Sequence, residues 1–181
     1  MSFWTDLRTP AQHDMLVAVY ETHWLTQYAE ASDSLNRVWE IMSGLFALTG
    51  SIVAQAGGRQ IKTLGDNGLA VFPIDTADAA TRALFDLKAQ AEDWLAQRGY
   101  RSRIHLKADI GPVAIGRIGT AGEEILDVFG RPVATAFTMP STGIAITAPL
   151  FRHLGEEARK LFRKHTPPVT YIGMEDRRPR G

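Results

Sequence analysis

The chain has 181 residues, 45% of them hydrophobic, with 20 Lys plus Arg against 20 Asp plus Glu. That suits one domain with its own core, and a net charge of zero gives no global electrostatic case for binding nucleic acid or an anionic membrane surface. With no cysteine, disulfides, thiolate metal sites and cysteine nucleophiles are excluded.

Met1 to Pro10 lacks a basic segment followed by an apolar run, so no signal peptide is expected and the default compartment is the cytoplasm. Met15 to Tyr20 is a short apolar run and reads as a buried strand. Ser32, Asp33 and Ser34 are candidate caps for the helix that follows. That helix carries Leu35, Val38, Trp39, Met42, Leu45, Phe46, Thr49, Ile52 and Val53 at helical spacing, and Gly57-Gly58 stops it. Its longest uncharged run, Ile41 to Ala56, is 16 residues. That is shorter than the roughly 18–20 needed to cross a bilayer, and the helix reads as buried or facing a second copy of the chain.

Gln60–Leu64 and Leu69–Phe72 flank Gly65-Asp66-Asn67-Gly68, and Asn-Gly between two strand-like runs predicts a hairpin. Asp75 or Thr76 then caps a second helix with the stripe Ala80, Leu84, Leu87, Ala91, Trp94 and Leu95, ended by Gly99. From Arg103 to Ile110 the chain alternates: Ile104, Leu106, Ala108 and Ile110 on one face, Arg103, His105, Lys107 and Asp109 on the other. Gly111-Pro112 is expected to turn the chain into Val113–Ile118. A strand over Glu124–Phe129, a helix near Pro132–Met139, a strand at Ile144–Thr147, a short helix from Pro149 to Leu154 and a strand at Val169–Ile172 complete the reading. The basic end at Arg177, Arg178 and Arg180 reads as a solvated terminus.

The order strand, helix, strand, strand, helix, strand predicts an α+β fold. It is a split βαβ, ferredoxin-like βαββαβ core with a C-terminal extension, an α/β sandwich in which the two long helices cover one sheet face. The chain is expected to form one domain over residues 1–181, with the core at about 15–173.

Two segments carry a family resemblance. Gly57-Gly58-Arg59-Gln60-Ile61-Lys62-Thr63-Leu64-Gly65-Asp66-Asn67-Gly68-Leu69-Ala70-Val71-Phe72 resembles the pattern G-G-x-x-x-K-x-I-G-D-G-x-L-A-x-F of class III nucleotidyl cyclases. Gly111, Gly116-Arg117-Ile118-Gly119 and Asp127-Val128-Phe129-Gly130-Arg131-Pro132-Val133 resemble that family's next hairpin and its strand-to-helix junction. The resemblance implies a head-to-tail dimer in which the ribose 3′-oxygen attacks the α-phosphate and releases pyrophosphate. It implies two divalent ions, Mg²⁺ or Mn²⁺, held by two carboxylates.

Carried over residue by residue, the resemblance assigns Asp66 and Glu21 to the metal positions. Glu21 is one methylene longer than the family's aspartate, which matters for the tight octahedral geometry of Mg²⁺. Lys62 and Asp127 match the adenine-reading pair: the ammonium donates to a ring nitrogen and the carboxylate accepts from the 6-amino group, which favours ATP over GTP. Lys164 matches a late phosphate-binding lysine. Trp24, preceded by His23, stands where the family has the glycine that lets backbone approach the triphosphate. Ala134 and Thr138 stand where it has a catalytic asparagine and arginine. A methyl group and a hydroxyl replace an amide aimed at the ribose and a guanidinium aimed at phosphate. Loss of one such preorganised donor costs about 10²–10³ in rate. Arg131, on the same turn, is aimed differently and does not replace the missing arginine.

The expected function is therefore a cyclase homology domain without turnover, acting in signalling as a homodimerising regulatory or nucleotide-binding module. One alternative is an active or residual adenylate cyclase, ATP to cAMP and pyrophosphate, either alone or as part of a heterodimer with another cyclase-like chain. The other is a ferredoxin-like interaction module without nucleotide binding. A diguanylate cyclase would carry a Gly-Gly-Asp/Glu-Glu-Phe turn, which Gly65-Asp66-Asn67-Gly68 is not. No nucleic-acid or membrane partner is expected.

Overall fold

The computed structural model describes residues 3–7, 10–22, 34–165 and 169–174. His23 and Trp24, the candidate caps Ser32 and Asp33, and the basic tail lie outside them. A buried central strand, β1 (Ala11–Thr22), organises the sheet. It pairs antiparallel with β3 (Asn67–Pro73) on one edge and β4 (Ile104–Ile118) on the other. β2 (Arg59–Leu64) pairs with β3 outside it. Beyond β4 follow β6 (Ile144–Thr147), β8 (Thr170–Gly173) and β7 (Phe162–His165). The order is β2-β3-β1-β4-β6-β8-β7, with β5 (Ile125–Phe129) paired to β4.

The predicted βαββαβ order and the cover of one face by two long helices are present. Helix α2 (Leu35–Gln55) and helix α3 (Ala77–Ala96) pack with Leu16, Ala18, Tyr20, Phe72, Leu106 and Ala108 into the larger core. Of the predicted α3 stripe, Trp94 alone is only partly buried. By length and composition α2 is apolar enough to cross a membrane, but Ile41, Leu45, Ile52 and Val53 are spent on this core.

The second face is also covered, which the sequence pattern did not assign. A short helix, α1 (Phe3–Asp6), and helix α4 (Arg131–Thr138) lie over it. Met15, Val17, Val19, Leu69, Val71, Val113, Ile115, Val128 and Ala136 form a second cluster with Phe3, Trp4 and Leu7. Trp4 Nε1 donates to the Gly57 carbonyl at 2.8 Å, tying α1 down. Two short helices, α5 (Ala148–His153) and α6 (Glu156–Arg159), complete the chain order. Strand β7 and helices α1 and α6, four residues each, are too short to leave a periodic signal.

Two turn assignments are corrected. The β2–β3 turn is centred on Gly65-Asp66, not on Asn67-Gly68: Leu64 pairs with Asn67, and Gly65 has φ +60. A glycine first in a two-residue turn suits a hairpin of the primed type. Gly68 is needed for a different reason. A Cβ there would lie 1.9 Å from the Tyr20 ring on the neighbouring strand. Nor does Gly111-Pro112 end a strand. β4 continues through it, and its pairing with β1 runs unbroken from Ile104 to Ile115. Pro112 falls where β4 has no partner on its other edge, between the pairings with β6 (to Ala108) and with β5 (from Ala114), a position that tolerates a missing N–H.

Tyr20 is buried, and its hydroxyl lies 2.9 Å from Thr49 Oγ1 on α2 and donates to Gln60 Oε1 on β2 at 3.1 Å. Burial pushes the phenol pKa up to about 12, although the Thr49 bond pulls the other way. Below about pH 10 the phenol is neutral in folded and unfolded chains alike. Between about pH 10 and 12 the unfolded chain releases this proton and the folded chain keeps it, so stability falls as pH rises. Urea unfolding across that window should show the wild type losing ~2–3 kcal/mol more than Tyr20→Phe; identical pH slopes for the two would contradict the assignment.

Candidate functional site

The polar end of the second face gathers residues from five elements. β1 and β4 run antiparallel, with Glu21 opposite His105 and Val19 opposite Lys107. Side chains alternate along a strand, so Glu21, His105, Lys107 and Asp109 share the face of Val17 and Val19. Lys107 Nζ lies 3.0 Å from Glu21 Oε2. The lysine side chain is 10% exposed and the glutamate 32%. The buried member of the pair is thus the cation.

Asp66 sits in the β2–β3 turn next to the end of β1, where the Thr22 N–H donates to the Asp66 carbonyl at 3.0 Å. Its carboxylate accepts from Asn67 Nδ2 at 2.9 Å. The fold therefore brings the end of β1, with Glu21, next to the Asp66 turn. The occupant beside Glu21 is nevertheless an ammonium, and no group of three or more His, Asp or Glu suited to an ion exists among the described residues. That geometry does not fit a two-carboxylate metal site, which needs oxygens converging at about 2.0–2.1 Å on Mg²⁺.

Lys62 and Asp127 also meet, across a longer path. β2 and β4 are separated by β3 and β1, yet Lys62 Nζ reaches Asp127 Oδ2 on β5 at 2.7 Å. Strand spacing of about 4.8 Å forbids this in a flat sheet. The arm formed by β5 and the second half of β4 therefore curls over the face. Asp127 is nearly buried, and its Oδ1 accepts from the Val128 N–H at 2.8 Å. Lys62 also lies 5.9 Å from the half-exposed Phe129 ring. The two residues predicted to read adenine are thus joined to each other, with the apolar side chains of Leu64, Ile125 and Phe129 exposed on the same strands and Ile118 exposed on the paired end of β4.

A third pair involves Asp109, which is fully buried. Its Oδ1 accepts from Thr147 Oγ1 at 2.5 Å, and Arg131 Nη1 lies 3.7 Å from Oδ2. Arg131, at the start of α4, is thus turned toward β4. Ala134 and Thr138 lie one helical turn apart on α4 and are both exposed. The Thr138 hydroxyl donates back to the Ala134 carbonyl at 2.9 Å. Its proton is used within the helix, so this surface offers a methyl group and a satisfied hydroxyl.

Lys164 is not brought to this cluster within the chain. It lies on β7, at the far edge of the sheet from β2, opposite Tyr171. Tyr171 packs against the larger core, so Lys164 shares the face of the long helices. The residue that sequence reasoning missed is Lys107. Its signal was present: four ionisable residues alternate along one strand, and a strand buried on both faces must pair such groups internally.

Residues 21–157 match the family described as the adenylate and guanylate cyclase catalytic domain. The adenylyl cyclase CyaB from P. aeruginosa superposes with a TM-score of 0.77 at 15% identity, over 94% of this chain and 98% of that one. A bacterial light-regulated adenylyl cyclase gives a TM-score of 0.76 at 18% identity, over 91% of this chain and 52% of that one, so the chain spans about half its length. A class III adenylyl cyclase-like ATP-binding protein from Pseudomonas aeruginosa gives 0.68 at 17% identity, over 83% and 36% respectively. At these identities the likeness establishes the fold. No curated protein sequence matches the chain.

The asymmetric burial of the Glu21–Lys107 pair sets an asymmetric cost. Glu21→Ala strands a buried ammonium and should destabilise by roughly 3 kcal/mol. Lys107→Met leaves a carboxylate that reaches water and should cost no more than about 1 kcal/mol. Urea midpoints at constant slope measure both; equal costs would mean that the lysine is hydrated.

Proposed function

The chain belongs to the adenylate and guanylate cyclase catalytic-domain family, and from that premise we propose that it is a catalytically silent member acting as a dimerising regulatory domain. The observation that carries this reading is the outer surface of α4. Where the family pattern has an asparagine and an arginine, this chain has Ala134 and a Thr138 hydroxyl bonded to its own helix. Neither group donates to a ribose or carries charge to a phosphate. With two transition-state groups gone, turnover falls by more than the about 10²–10³ of a single donor, though such losses do not add simply.

Dimerisation is supported by the exposed apolar residues beside the site. Leu64 is 67% exposed, Ile125 55%, Phe129 52% and Ile118 50%. Ile118 and Ile125 are direct cross-strand partners on the β4–β5 arm. Apolar surface concentrated on one arm marks an interaction site rather than ordinary surface scatter. Sedimentation equilibrium should give twice the 20.0 kDa chain mass, and Ile125→Asp should return it to the monomer. Both forms should make no cAMP from ATP with Mg²⁺ or Mn²⁺; robust turnover by the purified chain would overturn the reading.

A second reading, retained adenine recognition, is favoured by the Lys62–Asp127 pair. It keeps a donor and an acceptor side by side at the edge of the face. Among the similar structures, one is named as a cyclase-like ATP-binding protein. ATP at about a hundred times its dissociation constant should stabilise by about 2.7 kcal/mol, a melting shift of roughly 2–4 °C. The shift should be absent with GTP and lost in Lys62→Ala. A shift that persists in Lys62→Ala assigns the nucleotide to another site.

A further inference from the structure

We infer that Lys107 is a resident, protein-borne cation standing in for a divalent metal at Glu21, and that it closes this face to Mg²⁺ and Mn²⁺. The inference builds on reading this face as a former cyclase site, but it rests on other residues than the silent α4 surface.

Three observations carry it. The Lys107 ammonium contacts Glu21 Oε2 at 3.0 Å, reaching it from β4, across β1 from the β3 edge that carries the Asp66 turn. It comes from a strand paired on both edges, with β1 and with β6, so its stem is held at a fixed register opposite Val19 and beside Ala145. And it is the buried member of the pair, so it is not displaced by simple rotation into water. A hard divalent ion binds by drawing several carboxylate oxygens to about 2.0–2.6 Å. Here one of the two carboxylates already has a full positive charge in contact, and an arriving ion would meet a like charge. The ammonium neutralises Glu21 without the need for an ion from solution. It also ties β1 to β4 at the strand end that precedes the residues assigned to the phosphate-binding loop.

Three ion pairs on this face follow the same rule, while the Asp66 carboxylate accepts from the neutral Asn67 amide. Lys62 faces Asp127, Lys107 faces Glu21 and Arg131 faces Asp109. Each cation is matched by a carboxylate from a different element. A face built to receive a metal–polyphosphate complex would instead leave carboxylates free for the metal and cations free for the phosphates.

The test is direct binding of Mn²⁺ alone to the full chain, read as loss of the free-ion signal in electron paramagnetic resonance, with Mg²⁺ as competitor. The wild type and Lys107→Arg should bind no Mn²⁺ saturably in the low millimolar range. Lys107→Met, with its fold checked by circular dichroism, should bind at least tenfold more tightly than the wild type. Adding Glu21→Gln to Lys107→Met should abolish that gain. A folded Lys107→Met that gains nothing would overturn the inference. So would wild-type Mn²⁺ binding that Glu21→Gln removes. Should Lys107→Met fail to fold, the wild type and Lys107→Arg decide alone: saturable binding by either, sensitive to Glu21→Gln, overturns the inference, and its absence from both supports it. None of these readouts depends on turnover or nucleotide, so a failure here leaves the silent-domain reading standing on Ala134 and Thr138.

Discussion

Everything in this molecule is registered from β1. From Met15 onward it is hydrogen-bonded along both edges and buried on both faces, and its pairing with β4 runs its full length while that with β3 runs from Met15 to Glu21. A one-residue slip would move Leu16, Ala18 and Tyr20 out of one core and Met15, Val17 and Val19 out of the other, so the register is strongly fixed. The same register places Glu21 opposite both Asn67 and His105, one residue from the Asp66 turn and within reach of Lys107. The contact between Tyr20 and Gly68 works on the same strand from the other side. It admits an aromatic ring against bare backbone and ties the sheet to α2 through Thr49.

Within that frame, the second face is divided along the strand direction. One end is an apolar cluster closed by α1 and α4; the other is a set of ion pairs that cross between elements. Buried charges are tolerated when paired and are costly when stranded. The face therefore acts as a brace: Lys62–Asp127 holds the curled arm to β2, Glu21–Lys107 holds β1 to β4, and Arg131–Asp109 holds α4 to the sheet.

The order of elements was legible because the long helices and central strands carry strong periods: the α3 stripe and the Ile104–Ile110 alternation both describe buried faces. The hairpin was found but its centre misplaced, because Asn-Gly and Gly-Asp are both turn chemistry and only the register separates them. Gly111-Pro112 looked like a terminator because nothing local reveals that β4 has an open edge there. The candidate site was half legible. Lys62 and Asp127 meet as a pair, and Glu21 lies at the end of β1 next to the Asp66 turn. Lys107 was visible only as one of four charges on a strand, since its partner lies 86 positions away in the sequence (Glu21 to Lys107) and is joined to it only by the sheet register.

The far edge of the sheet has a consequence for how the molecule behaves at high concentration. β7 presents Arg163, Lys164 and His165 in succession, all exposed, and β2 carries Arg59 and Lys62 at the opposite margin. A strand from a neighbouring chain adding to the β7 margin would bring its own charged side chains against Arg163 and Lys164 or bury them. Open edges are where sheets grow into fibres, and short strands bearing basic side chains are an effective barrier to that growth. Lys164, on this account, helps keep one sheet from extending into the next.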